Sequence, residues 1–176
     1  GVEVAVRQAT ASPNDGKIRI NLDPKKPAAF ALRLRIPTWA GKQFVPGKLY
    51  QYANAAPAAW TLKVNGKPVE MKVEKGFTVI ERTWKRGDQV ELNLPMPVRL
   101  NTCHPKVEAN HDRVALTRGP FVLCAEGVEN GGVTERYFFD QLPKVTGASV
   151  KTLSIESGSF IQTTVPARAL TAAGGA

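Results

Sequence analysis

The two histidines, His104 and His111, lie seven residues apart beside Cys103, Glu108 and Asp112, the residue types that bind metals or move protons. A zinc site needs about four such ligands converging tetrahedrally, usually with short Cys-x-x-Cys or His-x-x-x-His spacings. Neither spacing occurs, so the stretch reads as a polar loop carrying incidental histidines. Paired carboxylates could act as acid and base on a glycosidic bond if they flanked a cleft. Glu126 and Glu129 are the nearest apolar-flanked pair, but fifteen scattered acids supply such pairs by chance. Ser12, Ser149, Ser154, Ser157 and Ser159 sit in polar or turn-like stretches, without the Gly-x-Ser-x-Gly elbow that activates a nucleophile. Gly131-Gly132 lacks the Gly-Lys-Ser/Thr that would cradle a phosphate. No catalytic residue, metal ligand or cofactor site is assigned.

Aromatic side chains are the better candidates for contact. Trp39, Trp60 and Trp84 could stack on sugar rings, yet a tryptophan in a strand pattern usually buries its large face in a core. Trp60, in register with Leu62 and Val64, reads as core; Trp39 and Trp84, at strand ends, read as edge of core. Tyr50 and Tyr52 lie outside any strand pattern, in a long connection over residues 40 to 58. Connections of that length inside a compact domain are usually functional or cover another surface. Tyr50, Tyr52 and Trp39 are therefore the candidate residues for contact with carbohydrate or with a neighbouring domain.

Around these side chains the chain alternates. In Phe30–Ile36 the residues Phe30, Leu32, Leu34 and Ile36 share one face, while Ala31, Arg33 and Arg35 share the other. That period of two marks a strand with one wet side, and it recurs in Ile18–Leu22, Trp60–Val64 and Val90–Leu94. Asn65-Gly66 tolerates the positive φ of a two-residue hairpin, joining Trp60–Val64 to a run through Met71 and Val73. Pro13-Asn-Asp-Gly16 and Arg86-Gly-Asp88 are further turns. No stretch sustains a helical apolar stripe. The fold class is all-β: a two-layer antiparallel β-sandwich, jelly-roll-like, over residues 1–130, with a trailing β segment over 131–176 that begins or completes a second β unit. Ala172 to Ala176 reads as a frayed tail of small residues.

Composition narrows the partners. With 176 residues, 43% hydrophobic and 22% charged, the chain can bury a core without metal or disulfide, and wholesale disorder is excluded. The longest apolar runs are strand-sized, so no helix would span a membrane. A net charge of +9 invites a nucleic-acid reading, but the cations are dispersed along strand exteriors rather than clustered among aromatics. Nucleic acid and membrane are therefore set aside; diffuse attraction to acidic polysaccharide ranks slightly higher. Cys124, inside Phe121–Ala125, reads as a small buried hydrophobe; both cysteines are read as free thiols, with a Cys103–Cys124 disulfide in an oxidising compartment left as the alternative. Val2–Val6 contains Glu3 and lacks a basic lead-in, so no export signal is visible there, and no compartment is fixed. A secreted or periplasmic location is slightly favoured.

The ordered set Leu32-Arg-Leu-Arg-Ile-Pro-Thr-Trp39, Val45-Pro-Gly-Lys-Leu-Tyr50, Lys63-Val-Asn-Gly66, Lys75-Gly-Phe77, Arg82-Thr-Trp84, Gly87-Asp88, Leu94-Pro-Met96 and Val114-Ala-Leu-Thr-Arg-Gly-Pro120 closely resembles part of glycoside hydrolase family 127. The likeness continues to Cys124-Ala-Glu126 and Glu129-Asn130, and is looser after residue 133. The founding activity of that family is β-L-arabinofuranosidase. The resemblance implies an upstream (α/α)6 barrel holding a cysteine nucleophile and a zinc bound by cysteines and a glutamate, followed by β-sandwich modules. Cys103 and Cys124 stand in no motif like the family's zinc-binding one, so no catalytic residue carries over. The function implied is that of a non-catalytic accessory domain whose partner is the upstream catalytic domain of the same polypeptide, with the Pro46–Pro57 loop reaching toward it. The alternative is an autonomous carbohydrate-binding module with an oligosaccharide as partner.

Overall fold

In a computed structural model, residues 1–53, 59–128, 130–132, 137–139, 141–142, 145, 150–155 and 158–169 are described. Glu129, Ser149, Ser157, the far end of the 40–58 connection and the small-residue tail lie outside them. The strands are β1 (Val4–Thr10), β2 (Lys17–Pro24), β3 (Ala28–Arg35), β4 (Tyr50–Tyr52), β5 (Thr61–Val64), β6 (Lys67–Pro68), β7 (Val73–Glu74) and β8 (Phe77–Trp84). They continue with β9 (Asp88–Asn93), β10 (Val98–Cys103), β11 (Val114–Arg118), β12 (Phe121–Leu123), β13 (Tyr137–Phe138), β14 (Val150–Ile155), β15 (Gly158–Thr163) and β16 (Arg168–Ala169). Among the described residues no α-helix occurs; Thr38–Ala40 and Glu108–Asn110 are single 3₁₀ turns. The chain is all-β, as expected.

Two sheets face each other in the first half. One is five-stranded, in the order β1-β2-β9-β5-β6; the other is three-stranded, β3-β8-β7. The alternation read from the sequence sets both inner faces. Ile20, Leu22, Leu62, Val64, Val90 and Leu92 point in from the larger sheet and meet Leu34, Ile80 and Trp84 from the smaller. Burying this apolar surface is the main force closing the sandwich. Trp84 is fully buried, deeper than an edge position: its indole N–H donates to the Phe30 carbonyl at 3.0 Å, and its ring lies 5.9 Å from that of Phe30. Trp60 packs half-buried against the same core.

Local chemistry fixes the turns. Asn65 and Gly66 adopt φ of 52° and 76°, the left-handed conformation a type I′ hairpin requires. The Asn65 amide also ties the turn to β9, donating to Asp88 Oδ1 and accepting the Gln89 N–H, each at 2.8 Å. The returning strand is shorter than expected: Lys67–Pro68 pairs with β5, whereas Val73–Glu74 crosses to the opposite sheet and pairs with β8. Pro68 lacks an N–H for the ladder, consistent with pairing ending there.

A second group of strands follows. A four-stranded sheet runs β12-β11-β10-β4, and its own cluster contains Val98, Leu100 and Val145, with Val114, Leu116 and Leu123 packed against them. The two clusters part between Leu94 and Val98, earlier than residue 130. A hairpin, β14-β15, and a long-range antiparallel pair, β13-β16, complete the described strands. Cys124 is exposed rather than buried, because β12 ends at Leu123 and the chain leaves the sheet there.

Candidate site at the junction of the two β units

The 40–58 connection contains a strand that the sequence pattern did not reveal. Tyr50–Tyr52 adds to the edge of β10, with Tyr52 opposite Asn101 and Tyr50 opposite Cys103. A segment that precedes β5 of the first unit in the chain is thus hydrogen-bonded into the sheet of the second. All three candidate aromatics gather here. Trp39 lies in the 3₁₀ turn after β3, with its side chain packed against the first core. Tyr52 is buried, and its hydroxyl donates to the Trp39 carbonyl at 3.0 Å. Tyr50 is half-buried, and its hydroxyl accepts from Asn110 Nδ2 at 3.0 Å.

Three successive carbonyls of this turn are each capped by a side chain from a different part of the chain. Tyr52 takes Trp39, the Trp60 indole N–H donates to Ala40 at 2.6 Å, and Arg99 Nη1 donates to Gly41 at 3.0 Å. A tight turn leaves such carbonyls unsatisfied by its own backbone, so the caps meet a real demand. Trp60 belongs to the first unit and Arg99 to the second; the turn is held from both sides. Arg118 adds a further tie across the boundary, its Nη1 donating to the Asn14 carbonyl at 3.0 Å.

Arg99 is the unexpected member. It is only 5% exposed, and its guanidinium lies over the Tyr52 ring, 4.5 Å from the centroid. A desolvated cation over an aromatic face is favourable, but burying it is costly when not every N–H finds an acceptor. Here Nη2 has no partner among the described residues. Beside it Asn101 Nδ2 donates to Thr117 Oγ1 at 2.8 Å, and both residues are buried. Burial raises the pKa of the Tyr52 phenol, against the opposing pull of the Arg99 charge and a hydrogen bond with Thr117. Tyr52 is therefore a neutral donor at physiological pH, as its bond to Trp39 requires.

Arg99, Asn101 and Thr117 were not singled out from the sequence. Along Val98–Cys103 polar residues alternate with apolar ones, the pattern of a strand with one wet face. That face is instead covered by the 3₁₀ turn and by Tyr52.

The remaining chemistry-bearing residues do not converge. His111 and His104 are exposed; His111 Nδ1 lies 3.0 Å from Asp112 Oδ2, and His104 Nδ1 accepts the Lys106 N–H. The Cys103 thiol points to the Asn110 carbonyl at 3.0 Å. Among the described residues no three of His, Cys, Asp and Glu come together, so they do not fit a zinc centre.

Comparison with known proteins places this geometry. The family model described as "Beta-L-arabinofuranosidase, GH127 middle domain" matches residues 1–96, and that for the "Glycoside hydrolase family 127 C-terminal domain" matches residues 98–170. A non-reducing end β-L-arabinofuranosidase of Bifidobacterium longum subsp. longum is 31% identical over 134 residues, covering 73% of this chain and 18% of that protein. A solved GH127 β-arabinofuranosidase superposes with a TM-score of 0.82 at 34% identity, over 97% of this chain and 26% of the other. A solved GH127 β-L-arabinofuranosidase from Geobacillus stearothermophilus gives 0.81 at 30% identity, over 98% and 24%. The chain therefore spans 18% of the curated relative's length and about a quarter of each solved one.

Proposed function

The chain belongs to glycoside hydrolase family 127, and from that premise we propose that it is a non-catalytic accessory region of a β-L-arabinofuranosidase-like enzyme, bracing an upstream (α/α)6 catalytic barrel. Its two β units, meeting near residue 97, act as one stiff body against which the catalytic part is held. The observation that carries this reading is the interlock itself. A strand from the first unit is built into the sheet of the second, and one turn is bonded from both sides. An interlock of paired backbone and buried side chains resists the relative domain motion expected of a small polar interface.

The competing reading, an autonomous sugar-binding module using Tyr50 and Tyr52, asks those side chains to be accessible. The burial of Tyr52 under Arg99 weighs against it. The test is direct. This chain alone is assayed against an aryl β-L-arabinofuranoside, beside a longer polypeptide carrying the upstream region with and without it. Activity confined to the longer form, and reduced or thermally labile once this region is removed, is the expected result. Hydrolysis by the isolated chain would sink the proposal. Titration with arabino-oligosaccharides that saturates, and weakens on Tyr50→Ala, would favour the binding module instead.

A further inference from the structure

The outward face of the five-stranded sheet is cationic and free of large apolar side chains. Along β1, β2, β5 and β9 the outward positions alternate with the core residues, and they include Arg7, Lys17, Arg19 and Lys63, all exposed. The register brings them together. Arg19 and Lys63 sit in one row with Glu91 between them, and Lys17 begins the next row opposite Asn93. Arg7 lies opposite Asn21, one row beyond Arg19. Neighbouring strands are about 4.8 Å apart, so the four cations occupy one patch rather than separate corners.

Between the cations lie amides, not apolar groups. Asn21 and Gln89 face each other across the ladder, with Gln89 Nε2 donating to Asn21 Oδ1 at 3.1 Å, and Asn93 stands opposite Lys17 at the other end of the patch. The outward carboxylates of these strands are two. Glu91 stands 3.7 Å from Arg19, and Asp23, at the far end, accepts the Gly87 N–H at 3.0 Å. The largest outward hydrocarbon on β1 is alanine, at Ala5 and Ala9.

We propose that this face binds an acidic polysaccharide of uronate sugars, laid flat across the strands. Its carboxylates would meet Arg7, Lys17, Arg19 and Lys63, and its hydroxyls would meet the amides of Asn21, Gln89 and Asn93. A uronate chain offers charge and hydroxyl groups along an extended backbone, the complement of a flat cation-and-amide surface. Single-stranded nucleic acid would call for aromatic stacking platforms, and a lipid surface for apolar side chains to insert; this face has neither. The junction aromatics lie elsewhere, so the inference is separate from the bracing role. It rests on the sugar-active reading only in choosing a polysaccharide, and failure of uronate binding would leave bracing untouched.

The test is calorimetric titration of the 176-residue chain with polygalacturonate, neutral arabinan, dextran sulfate and single-stranded DNA. Titrations run between about 0.01 and 0.15 M salt, over which the screening length falls from about 30 to about 8 Å. Polygalacturonate should bind most tightly and weaken with salt, while arabinan gives no heat. Replacing Arg7, Lys17, Arg19 and Lys63 together by Gln should weaken binding by roughly ten-fold or more, because several modest exposed contacts are lost at once. An isocharge control with Lys26, Lys48, Lys85 and Arg86 changed to Gln, all exposed and off this face, should stay within about two-fold of the parent chain. If the quadruple variant melts early, Lys17→Gln/Lys63→Gln serves in its place, with a smaller but measurable loss. Equal losses in the face variant and the control, tighter binding of dextran sulfate or DNA, or no binding at the lowest salt would each overturn the proposal.

Discussion

Replacing Tyr52 separates a structural junction from a sugar platform, because the two roles predict opposite effects on stability. Tyr52 is 8% exposed, its hydroxyl donates to the Trp39 carbonyl at 3.0 Å, and its ring lies beneath the Arg99 guanidinium at 4.5 Å. Tyr52→Phe keeps the ring and loses the hydroxyl's bonds to the Trp39 carbonyl and to Thr117, leaving a partly buried carbonyl without its partner, at a cost of about 1–3 kcal/mol. Tyr52→Ala also removes the ring. Truncating a buried aromatic costs about 3–5 kcal/mol, and the loss of a desolvated cation–π contact adds about 1–2 kcal/mol. Neighbouring terms are not additive, so the expected total is about 4–6 kcal/mol. That is a large share of the 5–15 kcal/mol that holds a typical domain. Urea unfolding followed by tryptophan fluorescence reads it, since Trp39, Trp60 and Trp84 all report from the first unit and its junction. A cycle with Arg99→Met should show coupling of about 1 kcal/mol or more between ring and guanidinium. Tyr52→Ala within about 1 kcal/mol of the parent would refute the junction argument, as would a Tyr52→Phe variant as damaged as the alanine.

Two further outcomes follow from the sandwich. Leu34 is 6% exposed in the first core, so Leu34→Asp, which buries an unpaired carboxylate, should abolish cooperative thermal unfolding; a soluble variant with an unchanged melting temperature would contradict the strand register. Burial tends to raise the Asp88 pKa, but hydrogen bonds from Asn65 Nδ2 and the Lys85 N–H, with the charges of Arg82 and Lys85, outweigh it and hold the carboxyl below its ordinary range. Its contribution is thus full above the unfolded value of about 3.9 and is lost as pH falls through the lower folded value. Urea midpoints between about pH 6 and pH 3 should fall more steeply for the parent chain than for Asp88→Asn, and parallel curves would count against this role.

The alternation of apolar and polar residues in Ile18–Leu22, Phe30–Ile36, Trp60–Val64 and Val90–Leu94 already determined which side chains face inward. A period of two is a local property, and the pleat turns it directly into a buried face. Asn65-Gly66 likewise carried its turn, because positive φ is a property of the residues themselves. The ordered run of turns and strands also carried the family resemblance. The junction was not legible in the same way. Gln51 separates two tyrosines in a stretch of three residues, too short for any periodicity to register, and β4 is a strand only because β10 offers it an edge. Arg99 and Asn101 follow the pattern of a wet face, and only the arrival of Tyr52 and the 3₁₀ turn from distant sequence makes that face dry. Which half of an alternating strand meets water is decided by what else packs on it, and that is a tertiary fact.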